Sequence, residues 1–160
     1  MGEGPDVARW YAMKVYYNRM KLLREQLAVD EVNYFVPSMI TSLLFVQTTS
    51  GYLKQFVKSY HDRIWVYSDL VTHKPSAIPD HEMEVFIFVC TAGKQGLCYL
   101  GDDKAEYHKG DRVRVTEGQF KGAEGYIKRI KKDRRLIVSV RGVAAVATSY
   151  IPPQFLEPIS

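Results

Sequence analysis

The sequence predicts an α+β chain built in two parts, an α/β sandwich followed by a small five-stranded β-barrel. Three observations lead there. From Arg9 to about residue 91, apolar strands alternate with segments carrying helical stripes. From Gly110 onward the texture changes to short alternating strands punctuated by glycines, the pattern of a small barrel without open edges. Between them Gly93, Gly96, Gly101 and the Asp102-Asp103 pair break any period, as in a linker. The expected organisation is a tail over 1–8, a first domain over 9–91, a linker over 92–109 and a second domain over 110–160.

Arg9 to Tyr16 is rich in aromatic and β-branched residues and reads as a strand. Asn18 stands where a helix N-cap is wanted, and Met20, Leu23 and Leu27 then form one apolar stripe up to about Val29. Tyr34 to Val36 is a short strand stopped by Pro37, which has no N–H for a ladder. Ser42 to Thr48 is an apolar run suited to a central strand. Thr49 or Ser50 caps the next helix, whose stripe is Leu53, Phe56, Val57 and Tyr60. Ile64 to Tyr67 returns to strand, and Pro79-Asp80 opens a helix with Met83, Phe86, Ile87 and Cys90 on one face. The order strand, helix, two strands, helix, strand, helix predicts a sandwich related to the ferredoxin-like arrangement. In the second domain the expected strands are Asp111–Thr116, Tyr126–Ile130, Leu136–Val140, Val143–Thr148 and Phe155–Pro158, with Lys131–Arg134 as a charged hairpin tip.

Composition narrows the class. At 160 residues, 46% hydrophobic and 25% charged, the chain has the makings of packed cores and not of a disordered segment. No apolar run approaches the roughly 18 residues of a membrane span. The start, Met-Gly-Glu-Gly-Pro-Asp, is acidic and polar, unlike a secretory signal, and Asp6 stands where a myristoylation site wants Ser or Thr. These features predict a cytoplasmic protein. Cys90 and Cys98 are not spaced as a zinc pair, and His61, His73, His81 and His108 are scattered, so no metal or cofactor is expected. No Ser/His/Asp, Cys/His or paired-carboxylate constellation suggests an enzyme. The net charge of +4 is uneven: residues 109–141 hold eleven Lys and Arg against four Asp and Glu, a balance of +7. That asymmetry fits a polyanion, an acidic protein partner or simply a solvated small barrel.

The segment from Gly110 to Ile127 (GDRVRVTEGQFKGAEGYI) resembles the KOW motif. Gly110, Gly118, Gly122 and Gly125 match its glycines, with Val113, Val115 and Ile127 as core positions. Upstream, Trp10-Tyr11 opening the first strand, then a helix, Phe35-Val36-Pro37 and Leu44-Phe45-Val46 resemble the N-terminal domain of NusG proteins. The resemblance covers the chain from about Arg9 to its end. It implies an NGN domain followed by an SH3-like KOW barrel, in a monomeric, non-catalytic transcription elongation factor or antiterminator. In that family the first domain clasps the clamp helices of RNA polymerase and approaches its gate loop, suppressing pausing or termination. The barrel recruits a ribosomal protein, a termination factor or another partner.

Carried onto this chain, the resemblance assigns Tyr11, Tyr16, Met39 and Ile40 to the clamp helices, and Thr48, Thr49 and Ser50 to the gate loop. The residues alone leave other readings open: strand aromatics as core, and a polar helix start as an N-cap. Arg19, Lys21 and Arg24 match basic residues that approach DNA, or else form a solvated helix face. Phe120, with Lys121, matches an aromatic used for partner binding; an apolar ring exposed at a turn tip implies a purpose. Lys128, Arg129, Lys131, Lys132, Arg134 and Arg135 form a dense basic stretch suited to salt-sensitive, sequence-blind phosphate contacts.

Met39-Ile40-Thr41-Ser42 replaces the aromatic and Pro-Gly or Pro-Asn pair of many relatives, and few residues separate Pro37 from Ser42. Val143-Ala-Ala-Val-Ala-Thr departs from a bulkier Phe-Gly-Arg type of segment. In these respects the chain is similar to specialised UpxY-type members, which promote read-through of capsular-polysaccharide operons. The alternative is a stand-alone RNA-binding or ribosome-associated KOW protein, which the +7 stretch favours.

Overall fold

Strand and helix signals alternate along the first half of the chain, and a computed structural model describing residues 7–93 and 95–159 shows the sheet they build. Two compact units divide between Asp80 and His81. The first contains β1 (Arg9–Val15), α1 (Met20–Val29), β2 (Asn33–Phe35), β3 (Leu43–Thr48), α2 (Ser50–Ser59) and β4 (Ile64–Val66). Its antiparallel sheet has the order β2-β3-β1-β4, the split βαββαβ arrangement that the element order predicts.

The register of β1 sets the core. Tyr11 pairs with Val46, Met13 with Leu44 and Val66, and Val15 with Ile64. Alternate side chains share a face, so these residues converge on Leu23 and Leu27 of α1 and on Leu53 and Phe56 of α2. Asp30, just past α1, accepts hydrogen bonds from the side chains of Gln26 and Tyr52, tying α1 to α2. Thr49 caps α2 as expected: its backbone is extended and its Oγ1 accepts the Tyr52 N–H at 3.2 Å. Asn18 does not cap α1. Tyr17 and Asn18 both adopt left-handed backbone (φ 59° and 54°), which removes Asn18 from the extended geometry a cap needs, and Arg19 fills the position without a side-chain bond.

The second unit starts within α3 (Asp80–Ala92) and continues through β5 (Cys98–Gly101), a 3-10 turn at Ala105–His108, β6 (Arg112–Val115), β7 (Glu124–Ile130), β8 (Asp133–Val140), β9 (Ala144–Tyr150) and β10 (Leu156–Pro158). These strands form one antiparallel sheet in the order β10-β6-β7-β8-β9-β5. All five expected strands are present, and β5 adds a sixth inside the segment expected to be a linker. The glycines there conceal a small apolar set: Cys98 and Leu100 pack with Tyr107 against Ile137, Ala145 and Ala147. The ladder therefore ends on β10 and β5.

The helix expected to complete the first domain groups instead with the barrel, because both its ends are fastened there. His81 lies 3.2 Å from Glu124, the Glu82 carboxylate accepts the Arg141 N–H, and the Phe120 ring covers Gly93. Among the described residues no helix is long and apolar enough to cross a membrane.

Gly125 is the tightest point of the second unit. A Cβ placed there would stand 2.1 Å from the Ile137 carbonyl oxygen and 3.3 Å from Leu136 Cδ1. Since the obstacle is backbone, Gly125→Ala is expected to cost about 1–3 kcal/mol or more, the range of overpacking, seen as a lowered urea midpoint. An unchanged midpoint would show that β7 and β8 can separate freely.

Candidate nucleic-acid and partner interface

The register that builds the first core also decides which predicted contacts can reach a partner. Tyr11 points between the helices and is 6% exposed, so it belongs to the core and not to an interface. Ile40 and Thr48 are buried as well, which withdraws them from direct contact. Thr49 is half-buried with its hydroxyl committed to the α2 cap, and Ser50 stands exposed at the first position of that helix. Met39 is half-exposed in the turn before β3. Tyr16 falls one residue past β1 and is 43% exposed, its ring centroid 6.2 Å from that of Tyr17, which is more exposed still. Alternation along β1 could not signal Tyr17, because it lies in the left-handed turn beyond the strand.

Arg19, Lys21 and Arg24 are exposed on or beside α1. Arg24 is partly engaged, its guanidinium lying 5.9 Å from the centre of the Tyr34 ring.

In the second unit Phe120 overturns the expectation of an exposed turn-tip aromatic. It is 3% exposed, its ring atoms 2.3 Å from where a Cβ on Gly93 would sit. The turn folds inward because Ala123 N–H bonds back to the Phe120 carbonyl and Lys121 N–H to that of Gly118. Lys121 itself remains exposed. Ile127 is half-buried, whereas Val113 and Val115 are core as expected.

The basic residues sort into two groups. Arg112 and Arg114 on β6 both reach Glu124, at 3.0 Å each, and Arg114 also meets Glu157 at 3.4 Å. Arg135 lies 3.7 Å from Asp133 and is half-buried, with its Nε out of solvent and unbonded, so it is less available than expected. Among the described residues, Lys128, Arg129, Lys131, Lys132 and Arg134 have no carboxylate within ion-pair distance. Pairing places like charges opposite one another, Lys128 against Arg135 and Arg129 against Arg134, an arrangement that opposes strand pairing. Lys131 at the hairpin tip holds φ 59°, a conformation glycine takes more cheaply.

Burial would raise the pKa of the Glu124 carboxyl, but hydrogen bonds from His81 and Arg114 and the charges of His81 and Arg112 outweigh it, leaving it below its ordinary value of 4.5. The Cys90 thiol is pushed up to about 12 by burial, which keeps it protonated and unreactive. No group of three or more His, Cys, Asp or Glu converges as a metal site among the described residues.

Because the folded-state value of Glu124 is depressed, its contribution to stability is complete above about pH 4.5 and is lost as pH falls through the folded value. Glu124→Gln is therefore expected to lose less stability than wild type between about pH 5 and pH 3, read from urea midpoints. Parallel losses would assign the acid sensitivity elsewhere.

The KOW motif matches residues 109–141. Among curated proteins no match is found. Thermotoga maritima NusG, in a structure concerned with its domain interaction, superposes with a TM-score of 0.52 at 15% identity, covering 96% of this chain and 98% of that one. The MjSpt4:Spt5 complex gives TM-scores of 0.35 and 0.37 in its conformations A and B, at 14% and 16% identity, too loose to bear on the fold. The chain thus carries a KOW motif in its second unit and has the two-part α+β fold of NusG.

Proposed function

We propose that this protein is a transcription elongation factor that binds RNA polymerase through its first unit and a further partner through its KOW unit. The observation that carries the reading is the end-to-end correspondence with NusG, 96% of one chain on 98% of the other, with the KOW motif in the second unit. The expected role is non-catalytic and cytoplasmic: clasping the clamp helices, facing the gate loop, and suppressing pausing or termination. Burial of Tyr11, Ile40 and Thr48 shifts the proposed contacts to Tyr16, Met39 and Ser50, with Tyr17 added. Exposed aromatics and an adaptable methionine are the residue types that anchor protein interfaces.

The finer proposal is an operon-specific antiterminator of the capsular-polysaccharide type. It is supported by the short Pro37–Ser42 turn and by the small side chains of Val143, Ala144 and Ala145, which are buried rather than offered to a partner. With Phe120 also buried, Lys121 remains the exposed residue of the expected KOW-partner pair. A ribosomal protein or termination factor is the partner class to examine.

Purified RNA polymerase should retain the full-length protein, and the protein should shorten pauses or increase read-through in transcription with the cognate polymerase. Tyr16→Ala combined with Met39→Asp should weaken retention at least about thirtyfold, since anchor residues contribute more than about 1 kcal/mol each, with an unchanged melting midpoint. Absence of retention by the wild-type protein would remove the basis of this reading.

A further inference from the structure

Beside β7 the second unit has an open depression of about 460 Å³. The turn between β5 and β6 lines it with Glu106, Tyr107 and Lys109, and β7 lines it with Tyr126, Lys128 and Arg129. Its cations are not consumed internally: Lys109, Lys128 and Arg129 have no carboxylate within ion-pair distance among the described residues, in contrast to Arg112 and Arg114 nearby in sequence. Glu106 is the single carboxylate of the lining.

The aromatic part is held in place. Tyr126 meets the His108 ring edge-on at 5.7 Å, and His108 Nε2 lies 2.9 Å from both carboxylate oxygens of Asp103. Asp103 also accepts the Gly142 N–H, which anchors the chain of contacts to the end of β8. Tyr107 is buried, donates its hydroxyl to the Leu100 carbonyl, and carries Lys128 Nζ 5.9 Å from its ring centre. Tyr126 is half-buried and lines the depression. A fixed ring beside several unpaired cations is the combination that holds unpaired bases and their phosphates. Duplex bases are already stacked on one another and offer no free face to a recessed ring. An acidic peptide would use the cations but not the ring.

We propose that this depression binds a single-stranded nucleic-acid segment, with a base against Tyr126 and neighbouring phosphates on Lys109, Lys128 and Arg129. The proposal is independent of polymerase binding and stands or falls separately from it. The test is fluorescence anisotropy of the full-length protein with labelled oligo(U) and oligo(dT) of about eight nucleotides, a duplex, and polyglutamate as competitor. Single strands should bind with a log–log salt slope near −2, from three phosphate contacts at about 0.7 each. Preference between the RNA and DNA strands identifies the source. Lys128→Ala with Arg129→Ala should weaken binding at least about tenfold and bring the slope towards about −0.7. Tyr126→Ala should lose roughly tenfold and Tyr126→Phe little. Should Tyr126→Ala fail to fold, the exposed Lys109→Ala should still lower the slope by about 0.7. Undetectable binding, equal duplex affinity with Tyr126→Ala unaffected, or displacement by polyglutamate at comparable charge concentration would overturn it.

Discussion

The second unit depends on one close approach, that of the Gly125 backbone to the Ile137 carbonyl. A glycine within a strand lets another backbone approach closely, and here the missing Cβ would lie 2.1 Å from the Ile137 carbonyl oxygen, well inside van der Waals contact. That approach sets β7 against β8 and so fixes everything the two strands carry. Tyr126 follows directly and is delivered to His108; Glu124 precedes directly and is delivered to Arg112 and Arg114.

Glu124 then divides the basic stretch by function. Two arginines of β6 and the first turn of α3 converge on this carboxylate, so these charges serve the architecture. Among the described residues, Lys128, Arg129, Lys131, Lys132 and Arg134, farther along β7 and the hairpin, have no carboxylate within ion-pair distance. A balance of +7 counted along the sequence does not make this distinction, because cross-strand neighbours are set by register and not by proximity in the chain.

Much of the first unit was legible in the sequence. Period-two and helical stripes located β1, β3, α1 and α2, and the element order gave the sheet topology. Inward and outward assignment was less accessible for aromatics, since Tyr11 and Tyr16 look alike until the strand's last residue is known. The two left-handed residues after β1 displaced the cap from Asn18 and exposed Tyr17. In the second unit, Gly96, Gly101 and the aspartates masked β5, whose pairing with β9 is a long-range fact. Phe120 was misplaced for a similar reason: its cover is Gly93, twenty-seven residues earlier in the chain.

The facing cations of the β7–β8 hairpin have a thermodynamic consequence. Lys128 and Arg129 confront Arg135 and Arg134, so the hairpin forms against its own electrostatic repulsion. Any polyanion settling on these strands relieves that repulsion while adding its own attraction. Occupancy and strand pairing are then linked equilibria, each raising the other, and the protein's stability becomes a reporter of what is bound to it.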